Sequence, residues 1–158
     1  MKNQGIRIRR GRPADEAALL ALLPRLAQFK LSPRRRPEDL WHGDAQLVKA
    51  HLAGQAPQCL LLVAEDAEQA AVAGFALVTL QPEFTGHDPG AHLEVLVVAD
   101  GFEGRGVGRQ LLVQAETAAK AKGAQSITLH VFNENQRAHR LYEASGYQSE
   151  IQRCIKWL

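Results

Sequence analysis

The chain has 158 residues, enough for one domain over 1–158 whose core buries roughly two-thirds of the unfolded surface without a metal or disulfide. A hydrophobic fraction of 46%, a charged fraction of 23% and a net charge of +2 are ordinary for a globular protein; no apolar run nears the roughly 20 residues of a spanning helix and no leader pattern opens the chain, so a cytoplasmic protein is expected. The charge is asymmetric: residues 1–36 hold 10 Lys and Arg against 2 acids, yet Arg34-Arg35-Arg36 between Pro33 and Pro37 reads as a solvated loop rather than a nucleic-acid surface.

Residues 6–9 alternate apolar and basic side chains, as a half-exposed strand does. After Pro13, Asp15 and Glu16 open a helix in which Leu19, Leu22, Leu23, Leu26 and Phe29 recur at helical spacing, with Pro24 interrupting it. A second helix is expected over 37–52, with Leu40, Leu47, Val48 and Leu52 apolar and Gly54 near its end. From Cys59 the period changes: 60–64 and 72–80 are short apolar runs joined by a polar turn, a hairpin. The loop 81–90, with Pro82, Gly86, Pro89 and Gly90, leads to a third, mostly buried strand over 91–98.

A helix marked by Leu111, Leu112, Ala115, Ala118 and Ala119 follows Gly108 and stops at Gly123. A strand over 127–131, a short helix over 135–145 ended by Gly146, and a last strand over 147–157 complete the chain. The order β-α-α-β-β-β-α-β-α-β implies an α/β (α+β) domain with a mixed sheet between helices. Cys59 and Cys154 have no CxxC or Cys/His spacing, so no metal or redox centre is expected, and both read as buried thiols.

The strongest local signal is the run from Val95-Leu96-Val97-Val98 through Glu103-Gly104-Arg105-Gly106-Val107-Gly108-Arg109 into the next helix. A glycine-rich turn at a helix N-terminus aims unpaired N–H groups and the positive end of the helix dipole at one spot, which suits phosphate. The glycines let a ligand approach the backbone and tolerate positive φ. A P-loop would need Lys-Ser or Lys-Thr where Arg109-Gln110 stands, and a GxGxxG fingerprint would need glycine at Arg109. Both fail.

What remains resembles the GCN5-related N-acetyltransferase (GNAT) superfamily, whose central motif Arg/Gln-x-x-Gly-x-Gly/Ala corresponds to residues 103–108. The segment Asn135-Gln-Arg-Ala138-His-Arg-Leu141-Tyr142-Glu-Ala-Ser-Gly146-Tyr147 is similar to that family's Asn-x-x-Ala-x-x-Leu-Tyr-x-x-x-Gly-Phe/Tyr. The resemblance implies a mixed, mostly antiparallel sheet flanked by helices, and acetyl-CoA as cosubstrate without a metal. It further implies direct acetyl transfer to a primary amine in a ternary complex. Two departures stand out: Glu103 occupies the usual Arg or Gln position, and Asp100 a common proline. Arg105 and Arg109, close in sequence, are expected to offset the Glu103 charge.

The resemblance assigns cofactor binding to Val97, Val98, Glu103, Gly104, Arg105, Gly106, Val107, Gly108, Arg109, Asn135, Ala138 and Tyr142. A strand N–H of Val97 or Val98 would polarise the thioester carbonyl. Tyr142 lies seven residues after Asn135, about 20° short of two helical turns, so amide and phenol share a helix face with Ala138 between them. It implies Tyr142 as proton donor to the departing thiolate; the alternative is a core aromatic with a surface hydroxyl. Glu94, a carboxylate among apolar strand residues, is the candidate base, with His92 on the same face as an alternative and a purely structural partner as a third reading. Expected partners are a small-molecule or peptide amine, with no nucleic acid or membrane; a homodimer is admitted. The competing function is a non-catalytic acyl-CoA sensor or scaffold module, and a plain nucleotide-binding domain would keep only the glycines.

Overall fold

The computed structural model describes residues 5–158; residues 1–4 of the expected domain lie outside them. The first strand, β1, is Ile6–Arg10. The first helical region is a 3-10 turn (Pro13–Asp15), α1 (Glu16–Leu22) and a second 3-10 turn (Leu23–Ala27). Pro24, which cannot donate a backbone hydrogen bond, stands where the α-helix gives way, so the helix expected to reach Phe29 is broken there. Pro37–Leu40 forms another 3-10 turn before α2 (His42–Leu52). The strands β2 (Cys59–Asp66), β3 (Ala71–Pro82) and β4 (Pro89–Val98) follow, then α3 (Val107–Ala121), β5 (Ile127–Leu129) and α4 (Gln136–Ala144).

The strands pair in chain order, β1-β2-β3-β4-β5, antiparallel except for β4 with β5. The helix α3 carries the chain back across the sheet and makes that last pair parallel. One face buries Leu19, Leu23, Ala45 and Val48 of the α1 and α2 layer on Leu61, Val63, Phe75, Leu77, Val95 and Val97. The other buries Val107, Leu111, Leu112, Ala115 and Ala119 of α3 on Ala64, Ala76, Val78, Ala91 and Leu93. This is the mixed sheet between helices that the element order implies, mostly antiparallel as the family resemblance implies.

The basic excess of residues 1–36 is absorbed at the β1–β2 edge. Arg9 donates to both oxygens of Asp15 at 2.8 Å and to Glu65 at 3.0 Å, and Glu65 also pairs with Arg7 and Arg12. Arg36 pairs with Asp39, and Arg35 stacks over Phe132 and Trp157.

Three expectations are corrected. Residues 147–157 form no strand: none of their backbone groups from Gln148 onward joins a hydrogen bond to another backbone group among the described residues, and Ile151, Ile155 and Trp157 are exposed. Alternation alone does not supply a partner edge. Cys154, on that segment, is exposed, whereas Cys59 is buried. The strand expected over 127–131 stops at Leu129, because β4 and β5 part there.

Candidate functional site

Two features open β4 to a ligand. The first is a bulge: Leu77 pairs with Val95 and Val78 with Leu93, so Glu94 is the extra residue. Before it, Ala91 and Leu93 pack toward α3; beyond it, Val95 and Val97 pack toward α1 and α2. Glu94 therefore stands where the strand exchanges faces. The second feature is the short β5 ladder, which covers β4 only from Ala91 to Leu93. From there to Val98 no strand covers β4 on that side, and the space beside this bare edge is termed the cleft.

The backbone of the free half-strand has a definite polarity. Ala99 N–H donates to Ala73 O at 2.8 Å, so Ala99 and, by ladder alternation, Val97 turn their backbone groups toward β3. Leu96 and Val98 turn theirs into the cleft, beyond β5. The Val98 carbonyl there accepts from Arg25 Nε at 2.7 Å. Of the two residues named as amide donors, Val98 faces the cleft and Val97 faces β3.

At the end of β4 the chain enters the glycine turn. Gly104 has φ of 71° and Gly106, the N-cap of α3, has φ of 75°, the left-handed region that glycine adopts without cost. Gly108 is helical, and its absent side chain faces Val98 and Leu141 at ordinary contact distance, so its role is close approach rather than backbone freedom. From Glu103 through Arg109 no backbone N–H finds a protein acceptor among the described residues. Those groups and the dipole of α3 converge on one place.

Glu103 is neutralised, though not by the residues expected. Its Oε1 accepts from Arg25 Nη2 at 2.5 Å and from Arg137 Nη1, on α4, at 2.6 Å. Arg137 first, and Arg25 with it, holds the carboxyl below the ordinary carboxylate range. Arg105 instead leans over Phe102 and approaches Asp66 at 3.9 Å, and Arg109 makes no ion pair among the described residues. An open groove of about 650 Å³ lies on the β1 side of the turn, lined by Ile8, Gly104, Arg105, Gly106, Arg109, Gln110, Val113 and Gln114. It lies beside the phosphate cradle but away from the bare edge of β4.

The other wall of the cleft is α4. Asn135 caps it, its Oδ1 accepting from Ala138 N–H at 3.2 Å, so only the amide NH2 remains to meet a ligand. Tyr142 is largely buried, packs its ring 5.6 Å from that of Tyr147, and its hydroxyl has no partner among the described residues. Burial alone pushes this phenol up to about 12, so it keeps its proton throughout the neutral range. Tyr147, by contrast, donates to Glu116 at 3.0 Å.

On the α2 side, Glu94 and Asp44 have no hydrogen-bond or ion-pair partner among the described residues. Burial first, and the charge of Glu94 second, push Asp44 up to about 7. His92 is buried, its ring 4.7 Å from that of His130 and its Nδ1 2.8 Å from Thr128 Oγ1. Burial, the largest effect, lowers its proton affinity; Glu94 opposes and His130 adds to it. The imidazole is thus neutral at pH 7. Since the Thr128 hydroxyl has the Ala91 carbonyl as acceptor, the assigned tautomer protonates Nδ1 and leaves Nε2 free.

Sequence reasoning missed Arg25, Arg137 and Asp44. Only Asp44 left a signal: it shares an i, i+4 row with Leu40, Val48 and Leu52, an acid on an apolar stripe.

A model of the Acetyltransferase (GNAT) family matches residues 24–147. The chain is similar to the "uncharacterized N-acetyltransferase YhfO" of Bacillus subtilis, with 30% identity over 145 residues covering 90% of both chains. It is 37% identical over 91 residues, 58% of its length, to mycothiol acetyltransferase of Beutenbergia cavernae. It spans 29% of that relative's length and 30% of the length of a second Bacillus subtilis N-acetyltransferase, YycN. Among solved structures, AAC(6')-Iy in complex with the bisubstrate analog CoA-S-monomethyl-acetylneamine has a TM-score of 0.70 at 21% identity, covering 97% of both chains, a likeness of fold.

Proposed function

The chain belongs to the acetyltransferase (GNAT) family, and from that premise we propose that it transfers an acetyl group from acetyl-CoA directly to a primary amine in a ternary complex. The observation that carries this reading is the junction of a half-strand edge that β5 leaves uncovered, with the Leu96 groups and the Val98 N–H unpaired, and the run of unpaired N–H groups from Glu103 to Arg109. The edge suits a chain of amides added as a further strand, and the cradle suits a pyrophosphate. Asn135, through its NH2, and the gap left by Ala138 would hold the same arm from the α4 side. The neutralised Glu103 carboxylate removes the repulsion that a phosphate would otherwise meet.

The cosubstrate supplies an activated acyl thioester. Transfer breaks its C–S bond and forms a C–N bond. Val98 N–H is the donor placed to polarise the carbonyl oxygen. The acceptor arrives as an ammonium, and two unpaired carboxylates, Asp44 and Glu94, favour such a cation in the cleft. Glu94 takes the ammonium proton, directly or through water; His92, neutral with Nε2 free, is the second base within this cluster. Tyr142 faces the leaving sulfur. A phenol near 12 lies roughly 3 units above a thiol near 8.5, so complete proton transfer to the thiolate is uphill. Tyr142 therefore acts chiefly by donating a hydrogen bond to the developing thiolate, and the second proton, which the nitrogen gives up as the amide forms, passes through water to that thiolate.

The test is to supply acetyl-CoA with a panel of amines of graded size and charge and follow free thiol. Amine-dependent release, strongest for acceptors carrying additional positive charge, is expected. Tight CoA binding with no turnover on any amine would instead support the non-catalytic binding module.

A further inference from the structure

Arg25 reaches the end of β4 from the 3-10 turn Leu23–Ala27, in the α1 and α2 layer, and only 15% of its side chain is exposed. One guanidinium makes three contacts: Nε donates to Val98 O at 2.7 Å, Nη2 to Glu103 at 2.5 Å, and Nη1 stands 3.6 Å from Asp100. The Val98–Ala99 peptide is thereby held at both ends, its oxygen by Arg25 and its N–H by Ala73 O at 2.8 Å. Glu103 extends the chain of contacts to Arg137 at 2.6 Å, and so to the helix that carries Tyr142. Arginine at 103 would repel both partners, and only an ionised carboxylate accepts from both while balancing charge.

We propose that Arg25 is a positioning residue for acetyl transfer, fixing the Val98 edge against the cradle and, through Glu103 and Arg137, setting the distance from α4 to that edge. The inference rests on the acetyltransferase reading above. A displacement of about 1 Å in a reacting geometry lowers rates far more than it lowers affinity.

The experiment compares the full chain with Arg25→Met, Arg25→Lys and Glu103→Gln, measuring kcat, KM for acetyl-CoA, Kd for CoA and Tm. Arg25→Met is expected to lower kcat about tenfold while Kd for CoA rises only about threefold. Lysine supplies a point charge that cannot span Val98 O and Glu103 together, so Arg25→Lys should recover Tm without recovering kcat. Glu103→Gln, which keeps an acceptor but loses the charge, should fall between wild type and Arg25→Met. If Arg25→Met does not fold, the other two variants decide the matter. A kcat unchanged in Arg25→Met, or one that returns in Arg25→Lys in step with Tm, overturns the positioning role and leaves the acetyltransferase reading intact. A wild-type chain that binds no CoA, or binds it and turns over no amine of the panel, overturns that reading and this inference with it.

Discussion

Two groups of ionisable side chains in this molecule are treated oppositely. At the β1–β2 edge Arg9 is matched by Asp15 and Glu65, and Glu65 in turn by Arg7 and Arg12, so the carboxyl of Glu65 is held down to about 2 by Arg9 and Arg7. Asp44 and Glu94 on the α2 side, and the Tyr142 hydroxyl on α4, have no partner among the described residues, and burial pushes Asp44 and Tyr142 toward their neutral forms. A half-buried carboxylate without a cation costs stability and returns none within the fold. An incoming cation would explain such an acid beside a bare strand edge, whereas the ion pairs of the first region are accounted for by folding.

This contrast is broken most forcefully at Arg9. Arg9→Met leaves Asp15, whose side chain is 8% exposed, without its cation, and unfolding stability measured in urea should drop by about 3 kcal/mol. Activity per folded molecule should stay constant; a lower kcat would mean the edge is not merely structural. Tyr142→Phe should do the reverse, lowering kcat about a hundredfold by thiol-release assay with Tm unchanged, since the hydroxyl has no protein partner to lose. Equal losses of kcat and Tm would return Tyr142 to the core. Glu94→Gln should reduce kcat/KM for the amine about tenfold while Kd for CoA stays unchanged; an unaltered kcat/KM would move the base to His92.

How far these regions were legible in the sequence follows from the range of the forces involved. The hairpin, α3 and the turn at Gly104 and Gly106 are written in local periodicity and backbone preference, and they formed where expected. The helix α4 was legible in its spacing, but Asn135 is its N-cap, outside the helical turns that the spacing of amide and phenol assumed. The last strand failed because pairing depends on a partner edge rather than on alternation in the strand itself. The bulge at Glu94 was invisible, since it exists only as a mismatch between β3 and β4. Glu103 was read with its sequence neighbours Arg105 and Arg109, but its charge is balanced by Arg25 and Arg137, which only the folded topology brings near. Charges interact through space, and sequence proximity is a poor guide to them.

Asp44 gives the smallest effect and separates folding from function most cleanly, because the two should move in opposite directions. Its carboxyl is raised to about 7 in the folded chain against roughly 3.9 when unfolded. The folded state then binds the proton more tightly, so the wild type is fully stable in this respect below about pH 4 and loses stability as pH rises toward 7. Asparagine removes the titration. With the group partly solvated, screening reduces the gain, and Asp44→Asn should be more stable by about 1 kcal/mol at pH 8 and by nothing measurable near pH 4. Thermal melts across that range check the slope. The same substitution should raise KM for a charged acceptor severalfold, because one of the two carboxylates facing it is gone. A variant that gains stability at high pH and keeps its KM would show that the unpaired acid is an accident of packing, and the contrast between the two regions would lose half its meaning.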